Sequence, residues 1–225
     1  MKVAMILAAG RGERMKPLTD QTPKPLLTVK GIPLIEHHLN KLALAGFTHV
    51  VINVAWLGEQ IIHALGDGSR FNLKIHFSDE KEALETAGGI VNALPILLPL
   101  LEQQQEFAVI NADIFTDFDF SALPTNLEDK LGHLILVDNP VHNPNGDFSL
   151  KGSEMHRLKK NQFTFSGIAV YHKEMFSSLI AEKSALAPLL FEKVAQNRLS
   201  GQLHNGFWFD VGTPQRLDYL NQMEI

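Results

Sequence analysis

Cysteine is absent from the chain. Disulfides, thiolate zinc sites and cysteine nucleophiles are excluded with it, and the absence fits a reducing compartment. Basic runs are lacking as well. Twenty Lys and Arg stand against 25 Asp and Glu, a formal net charge of −5. Nucleic-acid binding normally needs a basic stripe against the phosphates, so no such partner is expected. A small phosphorylated ligand needs only a few well-placed cations. No apolar run is long enough to span a membrane. The stretch Val3 to Ala9 after Met1-Lys2 sits at the lower limit of a signal-peptide core. It runs into Gly10-Arg11-Gly12-Glu13-Arg14, which does not resemble a cleavage site. A cytoplasmic protein with no membrane partner is the expectation.

What is present is a chain of 225 residues, 45% hydrophobic, enough for one core and short for two. Apolar runs at Val3 to Ala9, His49 to Val54, Leu73 to Phe77, Phe107 to Ile110, His133 to Val137 and Phe163 to Tyr171 read as strands. Helical spacing predicts helices at Pro33 to Ala45, Gly58 to Leu65, Thr86 to Leu94 and Pro188 to Asn197. In the first of these, Leu34, Ile35, His38, Leu39 and Leu42 share a face. Residues 139–160 read as hairpins and loops, and Leu203 to Phe209 as a last strand. Thr213 caps a final helix that begins at Pro214. Alternating strands and helices predict an α/β fold, a single Rossmann-like, doubly wound, mostly parallel sheet. A smaller β-rich insertion belongs to the second half, and the single domain is placed in two parts, roughly 1–112 and roughly 113–225. No heptad or apolar patch marks an oligomer interface.

Two segments carry chemistry. Leu7 to Met15 holds Gly10 and Gly12, whose missing Cβ atoms let backbone N–H groups approach a phosphate, and Arg14, a bidentate anion donor. It has neither P-loop spacing nor the third glycine of a dinucleotide fingerprint. In Thr22-Pro23-Lys24-Pro25-Leu26-Leu27 two prolines stiffen the backbone around one lysine, which pre-positions the cation. Two carboxylates close apolar strands, Asp113 after Phe107 to Ala112 and Asp210 before Val211-Gly212-Thr213. Such a pair suits magnesium if the two converge; taken singly, Asp113 reads better as a turn residue and Asp210 as a helix cap.

Leu7 to Met15, Pro17-Leu18-Thr19 and Pro23-Lys24-Pro25-Leu26 together resemble the signature of the sugar nucleotidyltransferases, which make UDP-, dTDP-, GDP- and ADP-sugars. The resemblance implies a magnesium-dependent enzyme acting on a nucleoside triphosphate and a sugar 1-phosphate. Arg14 and Lys24 would be catalytic. Gly10, Gly12, Glu13, Arg14, Lys24, Glu80, Thr86 and Gly88 would meet the nucleotide. Asn111, Gly146, Asp147, Ser166 and Gly167 would meet the sugar. Asp113 and Asp210 would hold the metal. Relatives often carry Gly before the first aspartate, where this chain has Ala112. Further segments, among them Ile52 to Gly58, Leu136 to Pro140, Thr164 to Ile168 and Leu186 to Leu190, resemble a compact branch of the family that uses UTP. Guanylyl or thymidylyl transfer on the same chemistry, and a non-catalytic nucleotide-sugar sensor on the same fold, are the competing expectations. Arg157, Lys159 and Lys160 are candidates for an acidic substituent on the sugar.

Overall fold

The computed structural model describes residues 2–224. Its centre is strand β1, Val3–Leu7, apolar at every position and packed on both faces. A hairpin of β2 (Thr28–Val29) and β3 (Ile32–Pro33) leads into helix α1, Leu34–Leu44, then β4 (His49–Val54), α2 (Gly58–Leu65) and β5 (Lys74–Asp79). Helix α3 covers Glu85–Leu100 and is followed by β6 (Glu106–Asn111), β7 (Ile114–Thr116) and β8 (Gly132–Asp138). The hairpin of β9 (Ser149–Lys151) and β10 (Glu154–His156) precedes the long strand β11, Phe163–His172. Helix α4 (Leu186–Ala195), β12 (Leu199–Leu203), β13 (Trp208–Asp210) and α5 (Pro214–Gln222) complete the chain.

Nine strands form one sheet in the order β5-β4-β1-β6-β11-β8-β12-β10-β9. Strands β5, β4, β1 and β6 are mutually parallel. Across the sheet only β11 and β10 run against the rest. Alternate residues of β1 face opposite sides. Ala4 and Ile6 join the core under α1 and α2, and Val3 and Met5 the core under α3 and α4. The predicted α/β class and doubly wound, mostly parallel sheet are therefore the observed ones. A third cluster of Met15, Leu27, Val29, Leu34, Val211, Leu217 and Leu220 packs α5 on the first hairpin.

Two elements differ from expectation. Helix α3 continues through Pro95 and Pro99 to Leu100. Both prolines are exposed, so the carbonyls left without helical partners face water, where the loss is cheapest. Residues 203–209 are not one strand. Strand β12 ends in the large sheet at Leu203, and β13 starts at Trp208 to pair antiparallel with β7. Residues 139–160 hold a hairpin, β9–β10, at the sheet edge, as expected.

The predicted face of α1 is buried, His38 included at 1% exposure. Neither ring nitrogen has a hydrogen-bond partner of good geometry. Burial pushes the His38 pKa from 6.5 down to about 4. Between those values the unfolded chain binds the extra proton, so stability falls as pH drops from 6.5 towards 4. The full loss is about 3 kcal/mol. Denaturant titrations across this range are expected to show that acid limb, and His38→Leu should remove most of it.

Candidate active site

The first parallel strands stop together. Leu7, Asn53 and Asn111 end or nearly end β1, β4 and β6 around the point where the chain order reverses on either side of β1. Ligands bind outside the carboxyl ends of such strands. There a cleft of ≈ 360 Å³ opens, lined by Gly10, Gly12, Glu13, Arg14, Lys24, Glu80, Thr86, Asn111 and Asp113 among others. Nine of the residues expected from sequence thus share one cleft.

The glycine loop is shaped by its own packing at one position only. Gly12 has φ +68, and a Cβ there would stand 3.0 Å from Thr19 Cγ2. A Cβ on Gly10 would meet nothing within 4 Å, so the fold itself leaves that space open. The Arg14 side chain makes no hydrogen bond or ion pair among the described residues and is exposed at the cleft. It is free for an anion. Lys24, 9% exposed, donates from Nζ to Asp113 Oδ2 at 2.5 Å, across 89 positions of sequence. Lysine and carboxylate hold each other in place at the cleft wall.

Asp210 reaches the same rim through the small sheet. It is registered opposite Ile114, and the Val211 N–H donates to the Asp113 carbonyl at 2.8 Å. The two aspartates therefore hang from neighbouring backbone positions. Asp210 Oδ2 accepts from Arg216 Nη1 at 2.5 Å, and His142 Nε2 lies 3.4 Å from Oδ1. Asp210 lines an adjoining depression of ≈ 630 Å³ with Asn139, His142, His204, Trp208 and Arg216. Gly212 separates the two spaces, and a Cβ there would approach Arg216, Asp210 and Arg14. Oxygen donors from two carboxylates fit a hard divalent cation whose other positions go to phosphate oxygens and water. Among the described residues no third Asp, Glu or His joins them.

Other expectations are corrected. Gly88 does not line the cleft. Its N–H donates to the Ser184 carbonyl, and a Cβ would collide with Glu182 O. Glu80 forms part of the wall but is committed to the protein. Its Oε1 accepts from Asn53 Nδ2 at 2.6 Å and its Oε2 from the Leu84 N–H at 2.9 Å, while Asn53 Oδ1 accepts from the Ala8 N–H at 2.7 Å. Asn53 is a site residue that sequence reasoning left without a role. One polar side chain inside the apolar run of β4 was the available signal.

In the sugar half, Ser166 is buried and donates to the Ile135 carbonyl, and Asp147 accepts from Asn143 Nδ2 and the Phe165 N–H. Both serve the irregularity between Phe165 and Ile168 in β11. Gly146, with φ +61, makes room for the Asn139 side chain, and Gly167, with φ +83, for Asn111. Only Asn111 of that group lines the cleft. Arg157 stacks on Phe191 at 3.7 Å beside Lys159, at the β10 edge of the sheet. The basic side chains beside Asp210 are His142, His204 and Arg216 instead.

A crossover sheet with a cleft at the switch point that presents Arg14 and Lys24 beside backbone of a glycine loop defines a nucleotide-binding α/β protein, and the chain belongs to the nucleotidyl transferase family, whose model matches residues 3–147. It is 53% identical over 226 residues to an N-acetylmuramate alpha-1-phosphate uridylyltransferase from Neisseria meningitidis, covering 95% of this chain and 94% of that one. A mannose-1-phosphate guanyltransferase from Aspergillus oryzae is 31% identical, over 97% of this chain and 62% of its own length. HddC from Yersinia pseudotuberculosis, solved with GMP-PN, superposes with TM-score 0.80 at 21% identity, covering 99% of each chain. That likeness speaks for the fold.

The two loop glycines are expected to separate in mutagenesis. Gly12→Ala places an L-residue at positive φ against Thr19 and should cost about 1–2 kcal/mol, read as a lower thermal midpoint. Gly10→Ala should leave the midpoint unchanged while weakening triphosphate binding.

Proposed function

We propose that the chain transfers a uridylyl group from UTP to N-acetylmuramic acid 1-phosphate, giving UDP-N-acetylmuramic acid and pyrophosphate. The observation that carries this is the 53% identity over nearly the whole of both chains, joined to a cleft in which Arg14 and Lys24 stand ready for phosphates. An oxygen of the sugar phosphate attacks the α-phosphorus of UTP, and the bond from that phosphorus to the bridging β-phosphate oxygen breaks. The attacking oxygen is already anionic, so no residue is needed as general base. The barrier is repulsion between two polyanions and the charge that moves to the leaving pyrophosphate.

Lys24 is held beside Asp113 and would donate to the α-phosphate as charge grows there. Arg14 would take the departing pyrophosphate with its unengaged guanidinium. Asp113 and Asp210 would hold magnesium, which when bound would supply positive charge against the charge that builds on the phosphates. Glu80 and Asn53 fix the wall where the base would lie. N-acetylmuramic acid carries a lactyl carboxylate. His204 is bound to Asp117 at 2.8 Å and Arg216 to Asp210 at 2.5 Å; we assign that carboxylate to the depression that His204 and Arg216 line, beside His142 and Arg216.

Pyrophosphate release measured across UTP, GTP and dTTP and several sugar 1-phosphates tests the reading. Turnover confined to UTP with N-acetylmuramic acid 1-phosphate is expected. Turnover with a different pair would reject the substrates and keep the chemistry. No turnover at all would favour the sensing protein. Lys24→Ala should lower kcat by about 10²- to 10³-fold, and a chelator should abolish activity until magnesium is returned. For His142→Ala, the preference for N-acetylmuramic acid 1-phosphate over N-acetylglucosamine 1-phosphate in kcat/KM should drop about tenfold, the scale of one hydrogen bond to a charged group.

A further inference from the structure

The side chain of Arg11, between the two loop glycines, points away from the cleft. Its Nη1 donates to the Thr19 carbonyl at 2.7 Å and its Nη2 to Asp20 Oδ1 at 2.6 Å. The guanidinium lies 4.0 Å over the ring of Trp56. Trp56 Nε1 donates to the same Thr19 carbonyl at 3.0 Å. Thr19 is fully buried, and its hydroxyl donates to the Gly12 carbonyl at 2.9 Å. Gln60, on α2, donates to the Gln21 carbonyl at 3.0 Å. A continuous set of bonds therefore runs from the β4–α2 connection, through Thr19, to the peptide that follows Gly12.

That peptide is planar and trans, so its C=O and N–H point in opposite directions. Holding the Gly12 carbonyl on Thr19 aims the Glu13 N–H away from Thr19. Glu13 lines the cleft and Thr19 does not. Neither Arg11 nor Trp56 lines the cleft, so neither is placed to touch the reacting atoms. We propose that Arg11 and Trp56 are positioning residues that latch the phosphate loop from outside, and that this latch sets affinity for the triphosphate rather than the rate of transfer. A loop fixed before the ligand arrives loses less entropy on binding. The cation–π contact and the shared carbonyl are the two parts of the latch. Strand β4 ends at Val54, and the sharp turn through Leu57, at φ +52, brings the indole over the loop. The proposal rests on the cleft being the triphosphate site; it does not depend on which base or sugar is used.

The test measures UTP binding to the full-length protein without sugar phosphate, alongside steady-state kinetics, for Arg11→Ala, Arg11→Lys, Trp56→Ala and Trp56→Phe. Kd for UTP should rise about tenfold in the two alanine variants, the scale of losing one such contact and its preorganisation. Trp56→Phe keeps the stack and loses the N–H, so its loss should be partial. Arg11→Lys should recover part of the affinity lost in Arg11→Ala. In all four, kcat at saturating UTP and KM for the sugar phosphate should stay within about twofold, since losing uniform binding lowers affinity without touching the chemical step. Alanine variants that bind UTP like the parent would overturn the latch. So would kcat falling in parallel with affinity, because that would place the pair in the chemistry. If the parent binds GTP or dTTP in place of UTP, the base assignment fails, and the same loss on that triphosphate still supports the latch. A parent that binds no nucleoside triphosphate overturns latch and functional reading together.

Discussion

Strand β1 is paired on both edges, and its neighbours then part company. Ala4 to Leu7 are registered in parallel against both β4 and β6. Just beyond Leu7 the Ala8 N–H is taken by the Asn53 side chain, and the Leu7 carbonyl accepts from the Ala112 N–H at 3.1 Å. The chain is held firmly and must turn at once. The open glycine position, the Lys24 segment and Asp113 all lie around that turn. A parallel sheet can make this opening because its crossovers leave on both sides of β1, which leaves the crevice uncovered.

The charged groups at the opening hold one another in readiness. Lys24 with Asp113 and Arg216 with Asp210 each form a tight pair. These pairs limit the cost of partly burying ions, and they fix Lys24 and Asp113 at the cleft and Arg216 and Asp210 in the adjoining depression. Arg14 is different. It has no pair among the described residues and stays exposed, which suits a group that must reach for a ligand. The buried Glu80 carboxylate has no cation and relies on Asn53 and a backbone N–H, so its contribution is to the shape of the wall. Irregular backbone in β11 does similar work in the other half. Asp147 and Ser166 satisfy the groups that the irregularity strands, and Gly167 clears the space that Asn111 occupies.

The outline of the fold and the glycine-loop and lysine residues that line the cleft were legible in the sequence because their signals are local. Continuous apolar runs marked strands buried on both faces. The spacing of Leu34, Ile35, His38, Leu39 and Leu42 marked one helix face, and Thr213 with Pro214 marked a helix start that Thr213 does cap. Gly10, Gly12 and Lys24 could be picked out because glycine and proline restrict or free the backbone where they stand. The sugar side could not be read this way. Gly146, Asp147 and Ser166 have the right residue types, yet their neighbours from distant segments use them up. His142, Trp208 and Arg216 carry no motif of their own.

The sequence by itself determined which residues could bind phosphate and metal, since a carboxylate, a guanidinium or a missing Cβ has the same chemistry wherever it stands. Only the tertiary structure decided which of them meet. The β7–β13 pairing brings Asp210 next to Asp113, the fold carries Lys24 to Asp113 and Trp56 to Arg11, and the loop before α4 claims the N–H of Gly88. Each of these contacts joins segments far apart in the chain. Its formation depends on loop closure and on the packing of everything between, which no local pattern of residues records.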